Sequence, residues 1–543
     1  MLKYIALFIL LCGCTIRQPT YVGGAVAADH VLASKAGVEI LQQGGNAVDA
    51  AVATSFALSV VRPFSCGIGG GGFMIIDSPA MEPVALNYRE TTPRSVGPTF
   101  FEHNSSRFGG SAVGIPGTVA GLLAAHERYG ILPIEKVLAP AIRLARDGFS
   151  VDNAFSNAVS SALKSIEKLP MKQQRKFVLG LRSLTHQAEH GNIAQSRVLE
   201  QIAQDGLDGF YRGDVAKAIV LATSNHISLD DLASYTPRWE KPIHIDLGYG
   251  DTIISMPPPS SGGVAIAQIL GLLTRLDAQT YAEGSVEFTQ LLIESMQHAF
   301  ADRAEHLADA EFVDVPVQKL LEDAYLDELA QRIVLGKTQE TYTYGSVSPQ
   351  PDDDGTSHFC VVDKDGMMVS ATETINTSFG SLVLVEPYGF MLNNEMDDFS
   401  SPNGANVYGL RQSDNNLPEP GKRPLSSMTP TIVEHEGTPF LALGASGGPR
   451  IISSVVQVLL QILWFGNEPT EALSGGRVHH QWLPQIVYVE KEYRNNALET
   501  YLAKIGYEIR PRSNIGVVQV ILLDEGLMKP ASDPRKGGKH AGY

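Results

Sequence analysis

Cysteine is nearly absent: four occur in 543 residues, and two of these, Cys12 and Cys14, stand at the extreme N-terminus. Cys66 and Cys360 alone cannot staple a chain this long, so a disulfide framework is excluded and the fold must rest on a buried apolar core. No run of Lys and Arg is present, and 42 basic residues against 59 acidic ones leave a formal charge of −17. A nucleic-acid surface is therefore not expected; an acidic balance mostly reports solubility. No unit of fixed period recurs, which argues against a repeat architecture. What remains is the composition of an ordinary globular protein, long enough for two to four domains.

The N-terminal apolar run, Tyr4 to Leu11, is too short to cross a bilayer as a mature helix. Preceded by Lys3, it reads as a signal peptide over residues 1–13. Leu11-Cys12-Gly13-Cys14 resembles a bacterial lipoprotein box, with Cys14 as the lipidated first mature residue. Cys12 is unusual in such a box, and ordinary signal cleavage stays open. Thr15 follows where an Asp would signal inner-membrane retention. The expectation is an exported periplasmic protein whose only membrane contact is a lipid anchor, the outer membrane favoured.

Residues 28–61 read as two helices, the first ended by Gly44-Gly45 and the second capped by Asn46. Gly67-Ile68-Gly69-Gly70-Gly71-Gly72 matches the dinucleotide fingerprint in letters. It lies after a helix and before a strand, the reverse of what that fingerprint needs. A close backbone approach that only glycine tolerates is the preferred reading. Helical patterns dominate from about 117 to 235, although 155–205 is polar and weakly patterned. Glu294, His298 and Asp302 share one helix face. A solvated face is preferred there to a metal site. Cys360, in an apolar run, reads as a small core residue and not a nucleophile.

Residues 337–355 read as a loop closing on Asp352-Asp353-Asp354-Gly355, after which Thr356 begins a strand-like stretch. A threonine hydroxyl inside a chain is a poor nucleophile. Cutting the Gly355–Thr356 bond frees an α-amine that serves the hydroxyl as its own base. Asp363-Lys364-Asp365-Gly366 marks a hairpin turn. Centred there, the hairpin sets Thr356 opposite about residue 373, with Thr374 within the one-residue uncertainty and Asn376 on the same face as Thr374. Further on, the strand Phe440–Leu443 runs through Gly444-Ala445-Ser446-Gly447-Gly448 into a helix opened by Pro449-Arg450. Such a turn presents backbone N–H groups suited to an oxyanion. Phosphate would use the same feature, but no lysine follows at the spacing of a phosphate loop.

The chain then resembles the gamma-glutamyltranspeptidases, members of the N-terminal-nucleophile hydrolases. The matching stretches are Gln43–Val52, Gly69–Phe73, Pro116–Gly121, Asn393–Phe399, Lys422–Met428 and Ala531–Arg535. The resemblance extends from about Gly23 to Tyr543, nearly the whole mature chain. The resemblance implies an α+β fold, a four-layer αββα sandwich. It implies a precursor that cuts itself at Gly355–Thr356 into a large subunit, 14–355, and a small subunit, 356–543, which stay together. It assigns Thr356 as nucleophile, Thr374 as its hydrogen-bond partner, and Gly447 and Gly448 as the oxyanion hole. Arg89, aided by Ser426 and Ser427, would take the donor's α-carboxylate; Asn376, Glu395 and Asp398 would take its α-ammonium. Tyr408 matches the aromatic gate of a lid that cephalosporin acylases and capsule-processing relatives lack.

The implied activity is γ-glutamyl transfer from glutathione and related compounds to water, an amino acid or a dipeptide, with no metal or organic cofactor. A related acylase acting on another side-chain amide, and a non-catalytic binding protein or unprocessed lipoprotein, are the alternatives.

Overall fold

Strands that are apolar on both faces need cover on both sides. The computed structural model, which describes residues 18–167, 177, 189–347, 355–401 and 413–543, shows such strands at its centre. Val26 and Ala28, Met74 and Ile76, and Phe359 and Val361 face one core. Their neighbours Ala25 and Ala27, Phe73 and Ile75, and Cys360 and Val362 face another. The strands form a seven-stranded antiparallel sheet in the order Ala541–Gly542, Gly24–Ala28, Gly355–Asp363, Met368–Asn376, Gly71–Ser78, Met81–Asn87, Arg238–Glu240. Against its second face lies a six-stranded sheet: Leu527–Ser532, Val517–Asp524, Thr438–Ser446, Thr431–His435, Asp251–Ser255, Ile243–Gly248.

Helices close both outer faces. Val31–Gln42, Ala47–Val61, Thr118–Tyr129 and Ile134–Asp147 pack on the first sheet, and Gly262–Arg275, Val286–His306 and Arg450–Leu463 on the second. This is the expected four-layer α+β sandwich. Ala47–Val61 is buried along its whole length, which its small residues permit. The Asn46 side chain accepts from the Val48 and Asp49 amides, and Asp49 answers by accepting from the Asn46 amide, a complete capping box. Helices also fill most of 118–234, and Asn153–Ile166 and Ile193–Asp205 account for both ends of the weakly patterned stretch.

The structure refines one expectation and corrects another. The hairpin centre lies half a residue further on, so Thr356 pairs with Thr374, inside the one-residue range, rather than with residue 373. The turn holds three residues, Lys364 to Gly366, because the Asp363 side chain accepts from the Asp365 and Met367 amides and Gly366 takes φ +83°. The second concerns Glu294, His298 and Asp302, whose face is buried and not solvated. Glu294 accepts from the Tyr344 and Tyr507 hydroxyls at 2.6 and 2.5 Å, and Asp302 from Gln268 and Tyr325. The His298 ring lies 4.8 Å from that of Tyr344. Tyrosines from distant segments supply the donors, which helix periodicity does not foresee.

Candidate active site

Thr356 is the second residue of a strand inside the larger sheet and is 3 % exposed. Its Oγ1 donates to Thr374 Oγ1 at 3.3 Å. Thr374 Oγ1 in turn donates to the Gly355 carbonyl and accepts from the Asn376 amide at 2.8 Å. One hydroxyl thus bridges the Gly355 carbonyl and the Thr356 hydroxyl. A Cβ at Gly355 would lie 2.4 Å from the Asn376 carbonyl oxygen, so only glycine fits. Past Thr374 the partner strand bulges, and Asn376 adopts φ +72° opposite Gly355. Its Nδ2 donates to the Asn394 carbonyl at 3.0 Å, while its buried Oδ1 has no hydrogen-bond partner among the described residues.

Asn394 carries the site toward Arg89. Its side chain accepts from the Thr377 amide at 3.1 Å, and the next residue opens the short 3-10 turn Glu395–Asp398. Asn393 holds this turn against the glycine run: its side chain donates to the Gly69 and Gly114 carbonyls and accepts from the Glu395 amide. Gly69 and Gly70 each leave only 2.1 Å between a would-be Cβ and a carbonyl oxygen, those of Met391 and Thr374. The glycine run is therefore a close-approach element beside the site. Arg89 is buried, with Nη1 2.6 Å from Glu395 Oε2 and Nη2 on Asp398 Oδ2. Its Nε and Nη2 also donate to the Pro424 and Leu425 carbonyls. Burial opposes its charge, but Glu395, Asp398 and Glu90 raise its pKa above the ordinary arginine value.

Glu90 is fully buried 3.9 Å from Arg89 Nη1, and burial pushes its carboxyl up against the pull of that guanidinium. Burial likewise raises Asp398, again against Arg89. Three carboxyl groups thus gather around the Arg89 guanidinium, with Arg423 also acting on Glu90 and Arg303 on Asp398.

Ser426 and Ser427 follow Leu425. The Ser426 Oγ accepts from the Met428 amide, and its carbonyl from the Ser261 amide and hydroxyl. The Ser427 Oγ accepts from Arg303 Nη2 at 3.1 Å, and Arg303 Nε donates to Ser261 Oγ at 2.9 Å. Gly447 and Gly448, at φ +126° and +60°, join the strand Thr438–Ser446 to the helix Arg450–Leu463. A cavity of about 390 Å³ opens beside them, lined by Ser446, Gly447, Ser378, Arg450 and Lys536 among others.

A threonine at a strand start, hydrogen-bonded to the residue that pairs with it and preceded by an obligate glycine, invites comparison with known proteins. The family model described as gamma-glutamyltranspeptidase matches residues 33–543. The chain belongs to the gamma-glutamyltranspeptidase family. It is 39 % identical over 530 residues to the glutathione hydrolase proenzyme of Escherichia coli (strain K12), covering 94 % of this chain and 90 % of that one. It is 39 % identical over 536 residues to the glutathione hydrolase proenzyme of Pseudomonas aeruginosa, covering 95 % and 94 %. Among solved structures, the cephalosporin acylase from Bacillus halodurans superposes with TM-score 0.85 at 26 % identity, over 100 % of this chain and 99 % of that one. Gamma-glutamyltranspeptidase from Pseudomonas nitroreducens, complexed with L-DON, superposes with TM-score 0.55 at 35 % identity, over 60 % and 98 %.

Against that family background, two neighbours of the site went unread in the sequence. Arg303 lies one residue past the Glu294–His298–Asp302 face, and it is the member of that helix that reaches Ser427. Ser261 follows Pro257-Pro258-Pro259-Ser260, and nothing in that run marks it as a brace for Ser426. Tyr408, Cys14 and the signal peptide 1–13 lie outside the described residues.

Proposed function

We propose that this chain is a γ-glutamyltransferase and glutathione hydrolase that activates itself by cutting Gly355–Thr356. The observation that carries the reading is the Thr374 hydroxyl, hydrogen-bonded at once to the Gly355 carbonyl and to the Thr356 hydroxyl. In the precursor, Thr356 Oγ1 attacks the Gly355 carbonyl carbon, which the Thr374 hydroxyl polarises. The peptide C–N bond breaks as an ester forms on Oγ1, and water hydrolyses that ester. The products are a large subunit, 14–355, and a small subunit, 356–543, with a free α-amine on Thr356.

The mature enzyme works by ping-pong acyl transfer. Thr356 Oγ1 adds to the γ-amide carbon of glutathione or a similar donor, and the α-amine takes the hydroxyl proton. The Gly447 and Gly448 amides stabilise the oxyanion. The leaving amine, cysteinylglycine in the case of glutathione, departs with a proton. Water, an amino acid or a dipeptide then accepts the γ-glutamyl group. Arg89, with Ser426 and Ser427, holds the donor's α-carboxylate; Asn376 Oδ1, Glu395 and Asp398 hold its α-ammonium. A zwitterion suits this site: it adds no net charge, its carboxylate matches the guanidinium fork, and its ammonium meets the carboxylates already gathered there. Tyr408 gates the cleft. The residues named need no metal or cofactor for this chemistry.

Intact mass and N-terminal sequencing test the core of the proposal. The wild type should show a second N-terminus, Thr-Ser-His-Phe, whereas Thr356→Ala should remain one chain and turn nothing over. A fully active single chain would refute the scheme. Kinetics on a γ-glutamyl anilide against a glutaryl amide separate this activity from that of a related acylase. Export through the signal 1–13 with lipidation of Cys14 belongs to the same proposal. Cys14→Ser should move the protein from the membrane fraction to the soluble periplasm.

A further inference from the structure

Lys536 has no part in the scheme above, yet its ammonium touches the residue that does the chemistry. It ends the 3-10 turn Pro534–Lys536, and its Nζ donates to the Thr356 carbonyl at 2.5 Å and to Asp29 Oδ2 at 2.7 Å. Asp29 is fully buried; its other oxygen accepts from Gln519 Nε2 at 2.8 Å, and Arg62 holds its carbonyl. Three covalent bonds separate the Thr356 carbonyl oxygen from the α-nitrogen, so Lys536 Nζ lies at most about 6 Å from that nitrogen.

We propose that the Lys536–Asp29 pair is a positioning device for the nucleophile, one that pins the Thr356 carbonyl and favours the neutral form of the α-amine freed beside it. The inference rests on the reading of Thr356 as an N-terminal nucleophile. A free α-amine ordinarily titrates at about 7.7–8.0, so near neutrality most of it is protonated and cannot accept the hydroxyl proton. A cation within a few ångströms disfavours the protonated form. Other titratable groups lie on the elements packed here. Burial pushes the carboxyl of Glu373, on the neighbouring strand, up to about 7, and it accepts hydrogen bonds from Ser55 and Tyr88. Burial also keeps the Cys66 thiol neutral. Arg62 and Asp152 pair with each other at 2.6 Å behind Asp29. Arg450 and Arg512 line the adjacent cavity together with Lys536.

Asp29 precedes the proposed cut and Lys536 follows it. The pair therefore ties the basicity of the nucleophile's amine to assembly of the two subunits.

The test is the pH dependence of kcat/KM on a γ-glutamyl anilide for mature wild type, Lys536→Met, Lys536→Arg and Asp29→Asn, with intact mass recording the cut. Lys536→Met should move the acid limb up by about one pH unit, about a tenfold loss of rate at the foot of that limb. Lys536→Arg should keep the limb near that of the wild type. Asp29→Asn, which leaves the ammonium unbalanced, should move it the other way. A purely structural role would lower the rate evenly at every pH without displacing the limb, and that result overturns the inference. Should Lys536→Met fail to mature, Asp29→Asn carries the test, since asparagine still accepts a hydrogen bond from Lys536. An acid limb in Asp29→Asn within about 0.2 pH units of wild type would then overturn it alone. A wild type that stays uncut removes the underlying reading and this inference together.

Discussion

Arg89 faces carboxylates of its own chain, Glu395, Asp398 and Glu90, and two backbone carbonyls as well. A fork so placed is held in one orientation, which suits a planar partner. Arg89→Lys keeps the charge and loses the fork, so the donor KM should rise by about tenfold or more while intact mass still shows the cut. Glu90 gives a second prediction. Burial raises its carboxyl from 4.5 to about 8, so the folded protein holds a proton that the unfolded chain releases. Its contribution to stability is complete below about pH 4.5 and is lost as pH rises through about 8. Glu90→Gln should therefore make the fall in melting temperature between pH 5 and pH 9 shallower; an unchanged slope counts against a buried, protonated Glu90. Neither behaviour is legible in Asn87-Tyr88-Arg89-Glu90, where nothing says which carboxylates will gather around the arginine.

At the scale of elements, the hairpin Gly355–Asn376 was legible because turn residues and apolar alternation are local signals. Its register fell at the far end of the one-residue range because Asp363 folds its side chain over the turn and lengthens it. The glycine run was legible as a close approach, but not what it approaches. Gly70 packs on the Thr374 carbonyl, so a methyl group there would push the strand that carries Thr374. Gly70→Ala should cost about 2–4 kcal/mol in denaturant unfolding and slow the cut in a time course of intact mass. Normal stability together with normal processing would show that the strand absorbs the methyl. The helix Val286–His306 teaches the converse. Its polar face looked solvated by spacing, and tyrosines remote in sequence turned it into a buried hydrogen-bonded seam.

Across the whole molecule, both large sheets are built of strands from the two sides of Gly355–Thr356. Gly24–Ala28 pairs directly with Gly355–Asp363, and Asp251–Ser255 with Thr431–His435. Separation would break sheet hydrogen bonds in both layers and expose both apolar cores. The cut protein should run as two bands on a denaturing gel yet elute as one species in native size exclusion, parting only where denaturant also abolishes activity. The amino-acid sequence by itself determined the family, the alternation that builds two-faced strands, the capped helices and the threonine behind its glycine. These are short-range patterns, or ordered matches along the chain. Only the tertiary structure decided that Lys536 would lie under a carbonyl 180 residues before it, and against an aspartate 507 residues before it. Such contacts are chosen by how sheets and helices pack, and local propensity carries no information about them.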